Sequence, residues 1–377
     1  MTPQAMLDPT HTLSEDTFYL NMGPQHPSTH GVLRLLLRLS GERILECDPV
    51  LGYSHRGQEH IAQNKTYLQF LPYPGRMDYL SALMFNHAHC LAVEKASGIA
   101  VPERAEYIRV ICAELNRISS HLLWLGAYLM DLGAFTPFLY CFDDREDIMD
   151  LLLPVTGSRL TYCYSRFGGV AKDIDETFVT GLRAFIKKLR GRLKDYDKLV
   201  NKNVIFINRT RDVGVISADM ARAYGLTGPC LRGSGVAYDV RRAEPYSVYP
   251  EFAFEIPVRS GGDCLDRYMV RFLEMEQSLR IIEQALDRLP QGPVAPAKPV
   301  RVVKVPAGDY HCVYESARGQ VGIYLVSDGG KNPYRMKWRV PSFSNLSVLP
   351  KLLVNTLVAD TIAILGSVDV VMPEIDR

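Results

Sequence analysis

Four stretches between residues 75 and 200 repeat their apolar side chains three or four positions apart. This spacing predicts helices over about 75–97, 102–133, 137–165 and 175–200. The second stretch is almost entirely apolar over 115–132, so we expect that helix to be buried on most sides. The fourth carries the lysine and arginine face of an exposed helix. Because short loops join the four, the pattern indicates an antiparallel helix bundle.

Strand-like patterns lie on both sides of this helical region. Ahead of it, strands are predicted at 17–22, 32–40 and 43–50, with a helix at 58–70. After it, strands are predicted at 252–258, 300–305, 311–317, 322–326 and 335–340, and helices at 263–289 and 343–365. Strands at both ends of a helical core indicate an α+β fold. We divide it into an N-terminal β region with a loop and short helix (1–70), a helical bundle core (71–200) and a mixed region (201–377) whose C-terminal tail is buried against the core.

Charge and cysteine spacing exclude several classes of protein. Lys+Arg total 43 and Asp+Glu total 42, a balance that argues against binding to nucleic acid. No two of the eight cysteines form a Cys-x-x-Cys pair, so we expect the chain to bind no zinc ion or iron–sulfur cluster. The apolar run at 349–372 contains Lys351, Asn355, Asp360 and Asp369 and is not a clean membrane span. We therefore expect a soluble, cytoplasmic chain that can sit on a membrane through partners.

Signatures of common enzyme classes are absent or weak. Gly233-x-Gly235 lacks the third glycine of a dinucleotide fingerprint, and a turn-rich loop explains it better. The sequence has no phosphate loop, no His-Glu-x-x-His and no Gly-x-Ser-x-Gly elbow. Nucleotide-binding, zinc-hydrolase and serine-hydrolase functions are therefore disfavoured.

The most unusual local segment is the loop at 23–31, with two prolines, two hydroxyl side chains and the imidazoles of His26 and His30. Nine residues are more than a plain hairpin needs, and the prolines restrict the backbone. Loops on rigid scaffolds often carry chemistry. A structural loop whose histidines bond to backbone explains these nine residues equally well.

Four further residues are candidates. Asp131 ends the apolar run, where a carboxylate needs a partner, and a histidine is a natural one. Tyr79 follows Arg76 and Asp78 near a predicted helix start, where a tyrosine is usually a packing residue. Arg56 and Arg76 flank the predicted helix at 58–70 beside glycines, where a cofactor or another protein can approach closely, although most arginines are surface charges.

A series of motifs in order along the chain resembles the D subunit of NADH:quinone oxidoreductase, respiratory complex I. The motifs are NMGPQHPSTHGVLR (21–34), GYSHRG (52–57), GRMDYL (75–80), SSHLLWLGAYLMDLGA (119–134), LTGPCLRGSGVAYDVRRAEPY (226–246), GDCLDRYMVR (262–271), PYRMKWRVPSFSNL (333–346) and SVDVVMPEIDR (367–377). They span essentially the whole chain, so the resemblance is far more specific than any single motif.

The resemblance implies a peripheral-arm subunit at the cytoplasmic face of the inner (plasma) membrane that forms a quinone headgroup site. Its partners would be the B-type iron–sulfur subunit, which holds a 4Fe-4S cluster, and the C-type, H-type and I-type subunits. This chain would bind no cofactor itself, and quinone would be the substrate. In the family's pattern His30 and Tyr79 contact quinone and Asp131 pairs with His30. Arg56, Arg76 and, less securely, His26 lie near the partner's cluster, and quinone reduction is coupled to proton translocation.

The family's fold is similar to the large subunit of nickel–iron hydrogenases, which hold their metal with two Cys-x-x-Cys pairs. Here GYSHRG and PEIDR occupy those two places without a cysteine, so we expect no metal site. The chain also departs from the family's pattern. Thr161 replaces a histidine near the terminal cluster, Pro373 replaces a glycine, and Cys141 begins a less basic version of its helix.

Two alternatives stay open. The same subunit could belong to a complex I relative fed by ferredoxin or coenzyme F420, because other subunits choose the donor. A scaffold that takes no part in the chemistry is the other, and silent substitutions at His30 and Tyr79 would support it.

Overall fold

The computed structural model describes residues 17–25 and 31–377. His26 and His30, predicted as site residues, lie outside the described residues. The strands are β1 (Thr17–Met22), β2 (Arg34–Ser40), β3 (Arg43–Val50), β4 (Ser165–Arg166), β5 (Gly169–Val170), β6 (Gly308–Ser316), β7 (Gly319–Ser327) and β8 (Arg335–Arg339). The helices are α1 (Gln58–Gln63), α2 (Tyr67–Phe70), α3 (Ala82–Ser97), α4 (Glu103–Asp131), α5 (Phe135–Thr156), α6 (Glu176–Tyr196), α7 (Val204–Thr210), α8 (Ala218–Ala223), α9 (Pro229–Arg232), α10 (Val240–Ala243), α11 (Cys264–Asp287), α12 (Pro341–Leu346), α13 (Leu349–Leu353), α14 (Val358–Val368) and α15 (Met372–Asp376).

The N-terminal sheet has the order β1-β2-β3, and both pairs are antiparallel. Alternate residues of β2, Leu35, Leu37 and Leu39, are buried, as one core-facing side of a strand requires. The main-chain groups of Ile44 on β3 exchange hydrogen bonds with Thr356 and Asn355. The N-terminal sheet and the C-terminal part of the chain therefore share one core.

The centre of the molecule is helical, and α4 is its longest element, with 29 residues. It packs against α3, α5 and α11, and most of its side chains are buried. Its predicted burial is confirmed, as is the exposed basic face of α6. The predicted α+β arrangement, with antiparallel sheets at both ends of a helical core, is confirmed.

Two predicted helices of the bundle have wrong boundaries. The predicted helix at 137–165 ends at Thr156, because Gly157 adopts the left-handed conformation (φ 72°) that terminates helices. The helix predicted to begin near 75 begins at Ala82. Before it, the Asp78 carboxylate accepts hydrogen bonds from the amides of Leu80 and Ser81, which holds this segment in a turn.

Four further predictions are wrong. The predicted helix at 58–70 is interrupted at 64–66, where Thr66 forms a capping box with Gln69 and starts a second helix. Residues 252–258 form no strand, because the amides of Ala253 and Glu255 bond to glutamine side chains of α11. Residues 300–305 form no strand in the described part of the chain. The predicted helix at 343–365 is divided into α12, α13 and α14, with Asn355 (φ 66°) between the last two.

The C-terminal sheet has the antiparallel order β6-β7-β8. Ala317 and Arg318 form the two-residue turn between β6 and β7, which reaches into the protein interior. Within the part of the chain that the structure describes, no helix is both long and apolar enough to cross a membrane.

Candidate functional site

Tyr79 lies in the turn between a short 3-10 segment (Pro74–Arg76) and α3. Its neighbour Asp78 is fully buried, and its Oδ1 accepts hydrogen bonds from Leu80 N at 3.0 Å and Ser81 N at 3.1 Å. Tyr79 itself remains 36% exposed. The buried carboxylate thus holds the turn while the neighbouring phenol faces a cavity.

This cavity has a volume of about 180 Å³ and is lined by three segments that are distant in the sequence. Tyr79 comes from the turn before α3, Asp131 from the C-terminal end of α4, and Asp369 from the residue after α14. The remaining lining is mostly apolar: Leu80, Leu123, Trp124, Ala127, Met130, Val370 and Val371. We call it the Tyr79 cavity. It brings together two of the predicted site residues, Tyr79 and Asp131, and Asp131 is partly exposed there.

Burial raises the pKa of Tyr79, and the charge of Arg318 opposes that rise. Asp78 and Asp369 raise the pKa further, while Arg145 on α5 lowers it. The phenol is therefore protonated at neutral pH and can donate a hydrogen bond. An apolar cavity with a phenol donor and two carboxylates suits a planar carbonyl compound that accepts hydrogen bonds and protons.

Asp369 and Arg318 were not predicted as site residues from the sequence. Asp369 is 4% exposed and adopts a left-handed conformation (φ 58°) after an apolar helix. Like Asp131, Asp369 is a carboxylate at the end of an apolar run, where it needs a partner. Arg318 carried no comparable signal, because its partners lie far away in the sequence.

A second cluster forms where residues 52–57 meet the C-terminal tail. Asp376 accepts hydrogen bonds from Gly52 N (2.9 Å) and Ser54 N (2.7 Å), and His55 Nδ1 donates to the Asp376 carbonyl oxygen at 2.6 Å. Arg377 pairs with Glu59 of α1 at 3.2 Å. The structure therefore joins two motifs that are more than 300 residues apart.

Arg56 and Arg76 are also brought together. A guanidinium nitrogen of Arg56 donates to the Arg76 carbonyl oxygen at 2.6 Å, and both side chains are exposed. Nowhere among residues 17–25 and 31–377 do three or more His, Cys, Asp or Glu side chains gather as a metal site would require.

Two of the residues that depart from the family's pattern, Pro373 and Thr161, lie in well-defined local structure. Pro373 lies in the first turn of α15, where a helix requires no amide donor. Thr161 lies in the loop after α5, beside Tyr162, whose carbonyl oxygen would be 2.9 Å from a side-chain carbon placed on Gly75. That loop thus packs closely against the segment that carries Arg76.

Replacing Asp376 with alanine is expected to loosen the loop at 52–57. Two hydrogen bonds to a carboxylate would be lost, each worth about 1.5–3 kcal/mol. Amide hydrogen exchange of Gly52 and Ser54 should then accelerate at least about ten-fold in the intact assembly. Asp360→Ala, which removes a partly exposed partner of Arg209, is the matched control and should leave exchange in 52–57 unchanged. Unaltered exchange in Asp376→Ala would contradict the prediction.

Comparisons with known proteins identify the family of the chain. Residues 131–304 and 298–377 match the family described as "Respiratory-chain NADH dehydrogenase, 49 Kd subunit". The NADH-quinone oxidoreductase D subunit of Syntrophobacter fumaroxidans (strain DSM 10017 / MPOB) is 61% identical over 375 residues, covering 100% of both chains. That of Desulfotalea psychrophila (strain LSv54 / DSM 12343) is 57% identical over 363 residues, 96% of this chain and 98% of the relative. The D subunit numbered 2 of the same enzyme in Opitutus terrae (strain DSM 11246 / JCM 15787 / PB90-1) is 54% identical over 362 residues, 96% of this chain and 91% of the relative. With such identity along the whole chain, the protein belongs to the D-subunit (49 kDa) family of NADH-quinone oxidoreductase, respiratory complex I.

Proposed function

We propose that this chain forms the quinone headgroup site of a complex I-type NADH:quinone oxidoreductase, and that the Tyr79 cavity is its half of that site. The observation that carries the proposal is the convergence of Tyr79, Asp131 and Asp369 on one mostly apolar cavity. At about 180 Å³ it is smaller than the roughly 300–1,000 Å³ of a complete small-molecule site. We infer that a partner protein and the loop carrying His30 supply the rest.

Quinone reduction requires two electrons and two protons, and the carbonyl oxygens of the ring receive the protons. In the proposed site Tyr79 donates a hydrogen bond to one carbonyl oxygen of the quinone. Because its pKa is raised, the phenol keeps its proton until the quinone is reduced and its oxygen becomes basic enough to accept the proton. His30 faces the other carbonyl oxygen of the quinone. Asp131 orients that histidine and helps it to regain its proton. The loss of charge at this pair is the proposed link to proton translocation by the membrane subunits.

In the proposed function this chain binds no redox cofactor, so a 4Fe-4S cluster of the B-type partner supplies the electrons. The exposed Arg56 and Arg76, together with the loop at 52–57, form the surface that faces this cluster, with His26 nearby. The C-type, H-type and I-type subunits complete the surroundings at the cytoplasmic face of the membrane. The meeting of residues 52–57 with the tail supports the expected likeness to hydrogenase large subunits, whose two metal-binding motifs also come together.

A quinone analogue with a photoreactive group on its ring tests the site directly. After irradiation of the intact complex, we expect label on peptides containing Tyr79, Met130 and Asp131, or 369–371. Excess unlabelled short-chain quinone should prevent this labelling. Label confined to other subunits, or label on this chain that excess quinone does not reduce, would overturn the proposal.

A further inference from the structure

Arg318 lies at the tip of the β6–β7 hairpin and is fully buried behind the Tyr79 cavity. One of its terminal nitrogens donates to Asp78 Oδ2 at 2.8 Å and to Ser81 Oγ at 3.0 Å. The other donates to Asp369 Oδ1 at 3.4 Å. One guanidinium therefore binds the turn that carries Tyr79 and, on a separate segment, a carboxylate that lines the same cavity.

We propose that Arg318 is a positioning residue of the quinone site, which sets the spacing between the Tyr79 turn and the segment 369–371. The inference rests on the proposed function, because it assigns Arg318 a part in quinone binding at that cavity. Arg318 does not line the cavity. It acts through Asp78 and Asp369.

The hairpin tip is well suited to such a role because its backbone is held from several directions. Arg117 donates to the Ser316 carbonyl oxygen at 2.8 Å, and Asn345 donates to the Arg318 carbonyl oxygen at 3.2 Å. Gly228 packs so closely that a side-chain carbon there would lie 2.4 Å from the same carbonyl oxygen. A guanidinium projecting from so constrained a backbone holds its partners at fixed positions.

Charge balance explains why a cation is needed here. Asp78 and Asp369 face Arg318, and Arg271 lies 3.6 Å from Asp369 Oδ2. Burial, together with the negative charge of Asp78, raises the pKa of nearby Glu374 to about 8, so this third carboxyl group is protonated at neutral pH. Removal of Arg318 takes from the buried Asp78 the guanidinium that it pairs with, whereas Asp369 keeps Arg271.

The same charge acts on the phenol. Two positive charges lower the pKa of Tyr79: Arg318, which lies in the β6–β7 turn, and Arg145, which lies on α5. The negative charges of Asp78 and Asp369 raise this pKa. Asp131 on α4 lines the cavity as well. Without the Arg318 charge the pKa of Tyr79 rises further, so the phenol retains its proton to a higher pH.

The test compares Arg318→Met and Arg318→Lys in intact complex assembled in membranes. In Arg318→Met we expect the quinone KM to rise more than about ten-fold, and the alkaline limb of quinone reduction to move to higher pH. Lysine keeps the charge but lacks the fork that reaches both carboxylates, so its KM should rise about three- to ten-fold with the alkaline limb unmoved. Electron flow to a hydrophilic acceptor upstream should remain at wild-type level in both.

Arg104→Met is the matched control. Arg104 lies on α4 and binds Asp173 and the Pro290 carbonyl oxygen, neither of which lines the cavity or contacts Arg318. It should leave the quinone KM and pH profile unchanged. If Arg318→Met fails to assemble, Arg318→Lys decides: a wild-type KM in the lysine variant shows a folding role only and overturns the inference. Tyr79→Phe in the same series separates the two proposals, since a silent Tyr79→Phe removes the proposed function, whereas wild-type KM in the Arg318 variants with an impaired Tyr79→Phe removes this inference alone.

Discussion

Replacing Tyr79 with phenylalanine is expected to lower quinone reduction by about two orders of magnitude. The change removes a single hydroxyl group and keeps the ring that packs in the cavity. A positioned acid contributes about 10²–10⁴-fold to a proton transfer. Quinone reduction in membranes is the measurement, paired with electron flow to a hydrophilic acceptor upstream of the quinone site. Upstream flow and the assembled complex on native gels should remain at wild-type level.

Tyr140→Phe provides the matched control for this experiment. Tyr140 lies on α5 and is exposed to nearly the same degree, 37%. Its ring stacks against the guanidinium of Arg192 on α6, and it does not line the cavity. Its removal should change neither activity. His30→Ala, made alongside, tests the histidine that the sequence predicts. Wild-type quinone reduction in both Tyr79→Phe and His30→Ala would support a scaffold without a chemical role.

Local patterns predicted the elements that depend on nearby residues. The N-terminal sheet, the long helix α4 and the charged face of α6 follow from alternation and helical spacing. The predicted strand at 252–258 was wrong because its hydrogen-bond partners are not nearby residues. Two of its backbone amides donate to the side chains of Gln277 and Gln284, whose positions depend on the tertiary fold.

The same distinction between local pattern and long-range contact applies to the residues of the candidate site. Tyr79 and Asp131 were singled out from the sequence, and the structure brings both to one cavity. Arg318 was missed, since its contact with Asp78 joins residues 240 positions apart. The pairing of His30 with Asp131 stays a prediction, because His30 lies outside the described residues.

The interior also contains charge that the apolar pattern of α4 did not reveal. Glu114 is fully buried near the middle of α4. Its carboxylate lies 3.1 Å from nitrogens of both Arg117 and Arg241, and it accepts hydrogen bonds from Tyr249 Oη and Ser278 Oγ, each at 2.6 Å. Burial alone would raise the pKa of Glu114, but the two arginines and the hydroxyl donors lower it to about 2. The carboxylate thus stabilises the fold at pH values above its ordinary 4.5, and this contribution is lost as the pH falls toward 2.

Replacing Glu114 with alanine is therefore expected to lower the free energy of unfolding by about 3–5 kcal/mol at neutral pH, because Arg117 would be left buried without its ion-pair partner and Arg241 would keep only Asp239. A loss of this size approaches the whole stability of many domains, so the amount of assembled complex on native gels should fall sharply. Any complex that does assemble should lose activity at a lower temperature. Glu283→Ala on α11 is the control, since it removes a carboxylate that Arg190 binds with two nitrogens at a half-exposed position. Such a pair contributes about 0–1 kcal/mol, so assembly should be unchanged. Equal thermal stability of the two variants would mean that the buried arginines find other partners or water, and that Glu114 is not what holds this part of the core together.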